Sequence, residues 1–186
     1  NSPSFTSSAT FSAEENQTAV GTVTATDADG DSVTFTFTVS GSELEITSAG
    51  VLTFVSAPDY ETKTSYTATV TATDGTNSTT QDITVNVTDV NENSPSFTSS
   101  ATFSAAENQT AIGTVTATDA DGDSVTFTVS GSELEITSAG VLTFASAPYY
   151  ETKSRYTATV TASDGINYST QEISVSVFQK ELDSPT

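Results

Sequence analysis

The sequence predicts an all-β protein built as two tandem immunoglobulin-like β-sandwiches. Three observations carry that prediction. The chain repeats itself: residues 2–16 read SPSFTSSATFSAEEN and residues 94–108 read SPSFTSSATFSAAEN, while SGSELEITSAGVLTF recurs at 40–54 and 130–144. Apolar residues alternate with Thr and Ser at period two, the pattern of half-buried strands with one wet face. Turn dipeptides separate these runs at short intervals, and no helical period of useful length appears.

The strands follow in order. In TVTATD, Val23 and Ala25 share one parity. In VTFTFTV, Val33, Phe35, Phe37 and Val39 share one face. Tyr66, Ala68, Val70 and Ala72 do so in YTATVTAT, and Ile83, Val85 and Val87 in ITVNV. Thr and Val both suit a pleated, half-buried surface. Turns are expected at Asp29-Gly30, Ser40-Gly41, Ala49-Gly50, Ala57-Pro58 and Asp74-Gly75. The second copy repeats the series: Val115 and Ala117; Val125, Phe127 and Val129; Tyr156, Ala158, Val160 and Ala162; then Ile173, Val175 and Val177. The first copy carries one extra Phe-Thr pair, TFTFTVSG against TFTVSG.

A chain of 186 residues accommodates two domains of a size that suits one sandwich core each. Apolar residues make up 34%, but their strict patterning argues against disorder. Acidic residues outnumber basic ones 24 to 4, which excludes a duplex nucleic acid and disfavours an anionic membrane surface. There is no Cys, hence no disulfide and no zinc-thiolate site, and no His, hence neither the commonest general base nor the commonest transition-metal ligand. Metal chemistry in this chain must be oxygen chemistry with hard cations. No apolar run approaches a membrane span. Asn1-Ser2-Pro3 matches Asn93-Ser94-Pro95, so the chain reads as a piece of a longer array.

The acidic residues gather at strand ends. Copy one carries Glu15-Asn16, Asp27-Ala28-Asp29, Asp59-Tyr60-Glu61 and Asp74-Gly75. The seam between copies reads Asp89-Val90-Asn91-Glu92-Asn93. Copy two carries Glu107-Asn108, Asp119-Ala120-Asp121, Tyr149-Tyr150-Glu151 and Asp164-Gly165. Asp119-Ala120-Asp121-Gly122-Asp123 opens like an EF-hand loop, but Ser130 stands where that loop needs Glu. Paired carboxylates can also hydrolyse glycosides, yet a small sandwich without large insertions offers little cleft, so the chain is expected not to be an enzyme. Tyr149-Tyr150 is expected to pack a loop rather than stack on a sugar. The sequons at Asn16, Asn77, Asn86, Asn108 and Asn167 are the coincidences expected of a Thr- and Ser-rich chain.

In order and spacing, AEEN, ATDADG, PDYE, ATDG and DVNENSPSF resemble the PEN, DxD, DRE, xDG and DxNDNxP motifs of the cadherin repeat, and the resemblance covers the whole chain. The Thr/Ser-rich, Cys-free composition looks most like the cadherin-like repeats of bacterial proteins. The resemblance implies Greek-key sandwiches arranged end to end: repeat 1 over 1–89, a calcium-binding linker over 90–93, and repeat 2 over 94–186 with a degenerate C-terminal linker. It also implies about three Ca²⁺ at the linker. Glu15, Asp59 and Glu61 would come from the base of the first repeat. Asp89, the Val90 carbonyl, the Asn91 side chain, Glu92 and the Asn93 carbonyl would come from the linker. Asp119, Asp121 and Asp164 would come from the top of the second repeat.

The departures have their own meaning. Glu92 replaces the family's usual Asp, and one methylene more shifts a bridging carboxylate. The family takes a backbone carbonyl from the loop after DxD, and the short loop Gly122-Asp123-Ser124 leaves that ligand unassigned. Tyr149 replaces the Asp of the DYE motif, and Gln179-Lys180-Glu181-Leu182-Asp183 replaces the linker. The far end of copy two is therefore expected to hold no bridging calcium, which leaves Glu107 and Glu151 without a strong ion. Asp27, Asp29 and Asp74 form half a site.

The resemblance implies a Ca²⁺-dependent adhesion module at a cell surface or outside the cell, binding a like or unlike surface protein. The chain has no Trp, so the Trp-anchored strand exchange of classical cadherins is not expected. A Ca²⁺-dependent polysaccharide-binding module and a passive Ca²⁺-stiffened spacer are the alternatives.

Overall fold

The computed structural model describes residues 1–29 and 36–181. Val33, Phe35, Gly30, the extra Phe-Thr pair up to Phe35, and Leu182-Asp183 lie outside the described residues. The chain divides into two compact units, Asn1–Val90 and Asn91–Thr186. Among the described residues every regular element is a strand, as the alternation predicts.

Unit 1 holds β1 (Ser4–Phe5), β2 (Thr10–Glu14), β3 (Ala19–Thr22), β4 (Ala25–Thr26), β5 (Thr36–Val39), β6 (Leu44–Ile46), β7 (Val51–Phe54), β8 (Ser65–Thr73) and β9 (Ser78–Thr88). One sheet runs β2-β9-β8-β5, the other β3-β7-β6, and β1 pairs with β4. All pairings are antiparallel except β2 with β9, which run parallel from Thr10↔Thr84 to Glu14↔Thr88. A register shift between Ala19 and Gly21 bends β3, and a Cβ on Gly21 would press on the Phe11 ring at 3.1 Å.

The inward parity of each strand forms the core. Leu52, Val70, Ala72, Val85, Val23 and Ile83 are all but fully buried, and each large apolar side chain so buried contributes about 1.5–3 kcal/mol. Phe37 is buried and Val39 packs against the same core, as their parity predicts. Phe54 meets Tyr66 edge to face at 5.0 Å. Lys63 lies 4.4 Å from the Tyr66 ring centre, and its Nζ donates to Glu43 Oε1 at 2.6 Å. The Lys63 ammonium thus lies over an aromatic face while paired with an exposed carboxylate.

Unit 2 repeats this architecture. Its strands are β10 (Ser96–Phe97), β11 (Thr102–Ala106), β12 (Ala111–Thr114), β13 (Ala117–Thr118), β14 (Thr126–Val129), β15 (Leu134–Ile136), β16 (Val141–Phe144), β17 (Arg155–Ser163) and β18 (Tyr168–Phe178). The sheets are β11-β18-β17-β14, β12-β16-β15 and β10-β13, again with one parallel pair, β11 with β18. Val115, Leu142, Val160, Val175 and Ala162 sit at full burial, and Phe127, Phe144, Ile173 and Val177 complete the core. Tyr149 is 56% exposed and Tyr150 is 38% exposed, so the pair does not pack the loop as expected; it is a surface feature. Among the described residues no helix is long and apolar enough to cross a membrane.

Candidate metal centre

In unit 1 the acidic residues predicted at the base converge. Glu15 follows β2 and is 3% exposed, so it is no solvated surface carboxylate. Its burial is supported by two backbone donors: Tyr60 N–H reaches Oε2 at 2.7 Å and Val90 N–H reaches Oε1 at 2.8 Å. Both oxygens of a carboxylate held this way have a hydrogen-bond donor. Asn16 then turns the chain in the left-handed region, φ 62°, a conformation that Asn tolerates. Its N–H donates to the Pro58 carbonyl at 2.9 Å. That contact explains why Glu-Asn and Pro-Asp-Tyr-Glu occur together: one turn docks on the other.

Asp59 closes its own turn, with Oδ2 accepting from the Thr62 hydroxyl at 2.9 Å. Carboxylate oxygens of Glu15, Asp59 and Glu61 lie within 4.8 Å of one another. Such a trio, two of them exposed, is an oxygen donor set open on one side. Asp89 and Val90 close the unit just past β9, and Val90 contributes its N–H to Glu15.

In unit 2, Glu92 and Asn93 are tied to the loop after β13, and Asn91 to the turn between β17 and β18. Asp121 Oδ2 accepts the Glu92 N–H at 3.0 Å and the Asn93 N–H at 2.8 Å. Asp121 Oδ1 accepts Asn93 Nδ2 at 2.6 Å. The Asn93 side chain, and then its backbone, hold the Asp121 carboxyl below its ordinary range; burial and nearby Asp164 oppose this without reversing it. Asp119 Oδ1 accepts the Asp121 N–H at 2.9 Å, and Asp119 Oδ2 is buried with no hydrogen-bond partner. A buried carboxylate oxygen left without a donor costs stability unless a cation meets it. Together with an all-oxygen donor set, that orphan oxygen makes these residues fit a hard cation such as Ca²⁺.

Asp164 sits in the β17–β18 turn. Burial pushes its carboxyl up, but the N–H groups of Ile166 and Asn167 and the side chains of Asn167 and Asn91 outweigh it, and the net shift is downward. Asp164 joins the linker through Asn167, which donates to Asn91 Oδ1 at 2.6 Å.

Two residues escaped the sequence reading. Asp123 brings its carboxylate within 4.8 Å of those of Asp119 and Asp121; its signal was the third Asp of Asp119-Ala120-Asp121-Gly122-Asp123, set aside with the EF-hand. Asn167 is the other, and its signal was the repeated D-G-x-N at 74–77 and 164–167. At the opposite end of unit 2, Glu107 keeps the posture of Glu15, accepting Tyr150 N–H at 3.0 Å and Lys180 N–H at 3.2 Å. Its neighbour Tyr149 offers no carboxylate, and among the described residues no acidic trio like that of unit 1 gathers around Glu107.

The family model of the cadherin domain matches residues 9–88. Mouse cadherin-23 repeats EC22–24 superpose with a TM-score of 0.82 at 22% identity, covering 96% of this chain and 67% of that one. Human protocadherin-24 EC1–2 gives 0.80 at 20% identity, covering 96% and 98%. Drosophila N-cadherin EC1–4 gives 0.70 at 22% identity, covering 97% and 50%. At these identities the likeness is one of fold. No curated protein sequence matches the chain.

Proposed function

We propose that this chain, which carries a cadherin domain over residues 9–88 and a second cadherin-like unit after it, is a Ca²⁺-dependent adhesion module of the cell exterior. Cadherin domains as a class are calcium-dependent, extracellular, non-enzymatic adhesion modules. For this chain the reading assigns Glu15, Asp59, Glu61, Asp89, the Val90 carbonyl, Asn91, Glu92, the Asn93 carbonyl, Asp119, Asp121 and Asp164 as ligands of about three Ca²⁺. It takes 90–93 as a calcium-binding linker between repeats 1–89 and 94–186.

One observation supports it above the rest. Val90 N–H is held by Glu15, and Glu92 N–H is held by Asp121. Consecutive Cα atoms lie about 3.8 Å apart, and the two anchored N–H groups, Val90 in one unit and Glu92 in the next, are two residues apart in the chain. The proposed ligand set includes eight carboxylates: Glu15, Asp59, Glu61, Asp89, Glu92, Asp119, Asp121 and Asp164. Like charges a few ångströms apart repel by about 1–4 kcal/mol per pair at surface dielectrics. Bound Ca²⁺ supplies the positive charge that offsets this repulsion. The chain's own residues do the rest: Glu15 pins the end of one unit and Asp121 pins the start of the next.

Extracellular Ca²⁺ modules work at about 10⁻⁴–10⁻³ M, an affinity filled outside a cell and empty in cytosol. Small-angle scattering with and without Ca²⁺ tests the stiffening: flexibility and maximum dimension should both change, and identical curves would sink it. Bead aggregation tests adhesion: coated beads should cluster in Ca²⁺ and disperse in chelator. Beads that stay single in both would leave a passive spacer.

A further inference from the structure

We infer that Asn167 is a positioning residue for the ion site: its side-chain amide presets Asn91 and Asp164, so Ca²⁺ affinity at the linker depends on a residue that is not itself a ligand. This rests on the calcium reading above.

The backbone of Asn167 is fixed on both sides. Its N–H donates to Asp164 Oδ1 at 2.6 Å. Its carbonyl accepts the Asp164 N–H at 3.2 Å and the Ser163 hydroxyl at 3.1 Å. Gly165 allows the tight turn with φ 102°. From this rigid base, Nδ2 donates to Asn91 Oδ1 at 2.6 Å, a residue 76 positions away in the chain. The same nitrogen stands 3.5 Å from Asn91 O and 3.5 Å from Asp164 Oδ2.

The direction of this contact matters. An amide oxygen has two lone pairs. Asn91 Oδ1 takes one N–H from Asn167 and keeps a second lone pair for a hard cation. The contact also fixes which atom of the Asn91 amide is the oxygen, because only that atom can accept from Nδ2. With Oδ1 held by Asn167, the Asn91 amide nitrogen is turned to the Asp164 carboxylate, whose downward shift it supports; without Asn167 the amide is free to reverse. Asp164 is held by the same turn, so one residue orders two oxygen donors. Outer partners of this kind commonly set metal affinity by 10–100-fold.

Unit 1 contains the control. Asn77 occupies the same turn, donating its N–H to Asp74 Oδ1 at 2.6 Å, but its Nδ2 reaches the Asn1 carbonyl at 3.2 Å rather than any residue of the linker. A purely structural role predicts equal effects of substitution at the two positions.

Calorimetric titration of the whole chain with CaCl₂ decides, alongside unfolding in chelator. Asn167→Ala and Asn167→Thr are each expected to weaken Ca²⁺ binding about tenfold, while Asn77→Ala leaves the linker affinity as in wild type. In chelator the three variants should unfold at similar denaturant concentrations. Wild-type affinity in both Asn167 variants overturns the inference while leaving the calcium reading intact. Equal loss in Asn77→Ala overturns it as well. A wild-type chain that takes up no Ca²⁺ overturns both.

Discussion

Glu107 accepts the N–H of Tyr150 at 3.0 Å through Oε2, in a unit where Tyr149 stands in place of the first unit's Asp59. The other oxygen accepts Lys180 N–H at 3.2 Å. Glu15 makes the same pair of contacts, to Tyr60 and Val90. The buried glutamate therefore stays where its acidic neighbour is gone. Its first task is to join the β11 end, the loop at 148–150 and the end of β18.

Removing it should cost unit 2 stability with no calcium present. Glu107→Ala leaves two backbone N–H groups without their acceptor, a loss of about 1–3 kcal/mol. Denaturant unfolding in chelator measures it, and Glu107→Gln, which keeps an acceptor, should lose less. An unchanged midpoint for the Ala variant refutes the pinning role.

Glycines separate into two kinds. A Cβ on Gly50 would lie 2.2 Å from the Val23 carbonyl oxygen, and one on Gly140 would lie 2.1 Å from that of Val115. Gly41 and Gly131 share a positive φ but face open space. Gly41→Ala should cost about 1–2 kcal/mol, the left-handed penalty alone. Gly50→Ala must in addition push β7 from β3, because Val23 N–H donates to the Gly50 carbonyl at 2.8 Å. Its loss should clearly exceed that of Gly41→Ala in the same unfolding assay.

Acid should weaken unit 1 through Asp74. The N–H groups of Asn77 and then Thr76, helped by the Asn77 side chain, hold its carboxyl below the usual range against an opposing push from burial. The unfolded carboxyl thus takes a proton at higher pH than the folded one. The stabilisation is complete above the ordinary Asp value of about 3.9 and disappears as pH falls through the lower folded value. Unfolding midpoints in chelator between about pH 5 and pH 2 should fall, and more shallowly for Asp74→Asn. Identical slopes would remove Asp74 from the explanation.

Calcium should raise the unfolding temperature by mass action. For a site of about 10⁻⁴–10⁻³ M affinity, 10 mM Ca²⁺ adds roughly 1.4–2.7 kcal/mol per site. Asp121→Ala, which removes the acceptor of Glu92 and Asn93, should abolish most of that gain. Calorimetric scans at several Ca²⁺ concentrations show whether the midpoint climbs with the logarithm of concentration.

The strands were legible because each sheet keeps one wet face. Tyr66, Ala68, Val70 and Ala72 alternate with Thr in the sequence, and their burial alternates with it in β8. The parallel pairing of β2 with β9 was not legible, since Thr10 and Thr84 carry no local mark of each other. The acidic set could be read because its residue types are rare elsewhere in such strands. What could not be read is how each carboxylate is satisfied. The match of AEEN to PEN singles out Glu15 over Glu14, but not that Glu15 is buried beneath two N–H donors while Glu14 is exposed. Asn167 was passed over for the same reason: the Asn of a repeated D-G-x-N looks like turn chemistry until the fold brings Asn91 to its amide.

The parallel pairing has a mechanical consequence. Within unit 1 the chain enters the main sheet at Thr10 on β2 and leaves it at Thr88 on the neighbouring β9. A pull on the two ends of the unit therefore loads these strands along their length in opposite senses. The hydrogen bonds between them are sheared together rather than peeled one by one. Glu15 extends that joint past the last paired residues, through its own N–H to the Thr88 carbonyl at 3.2 Å and its carboxylate to Val90. Tension along unit 1 would load this joint in shear.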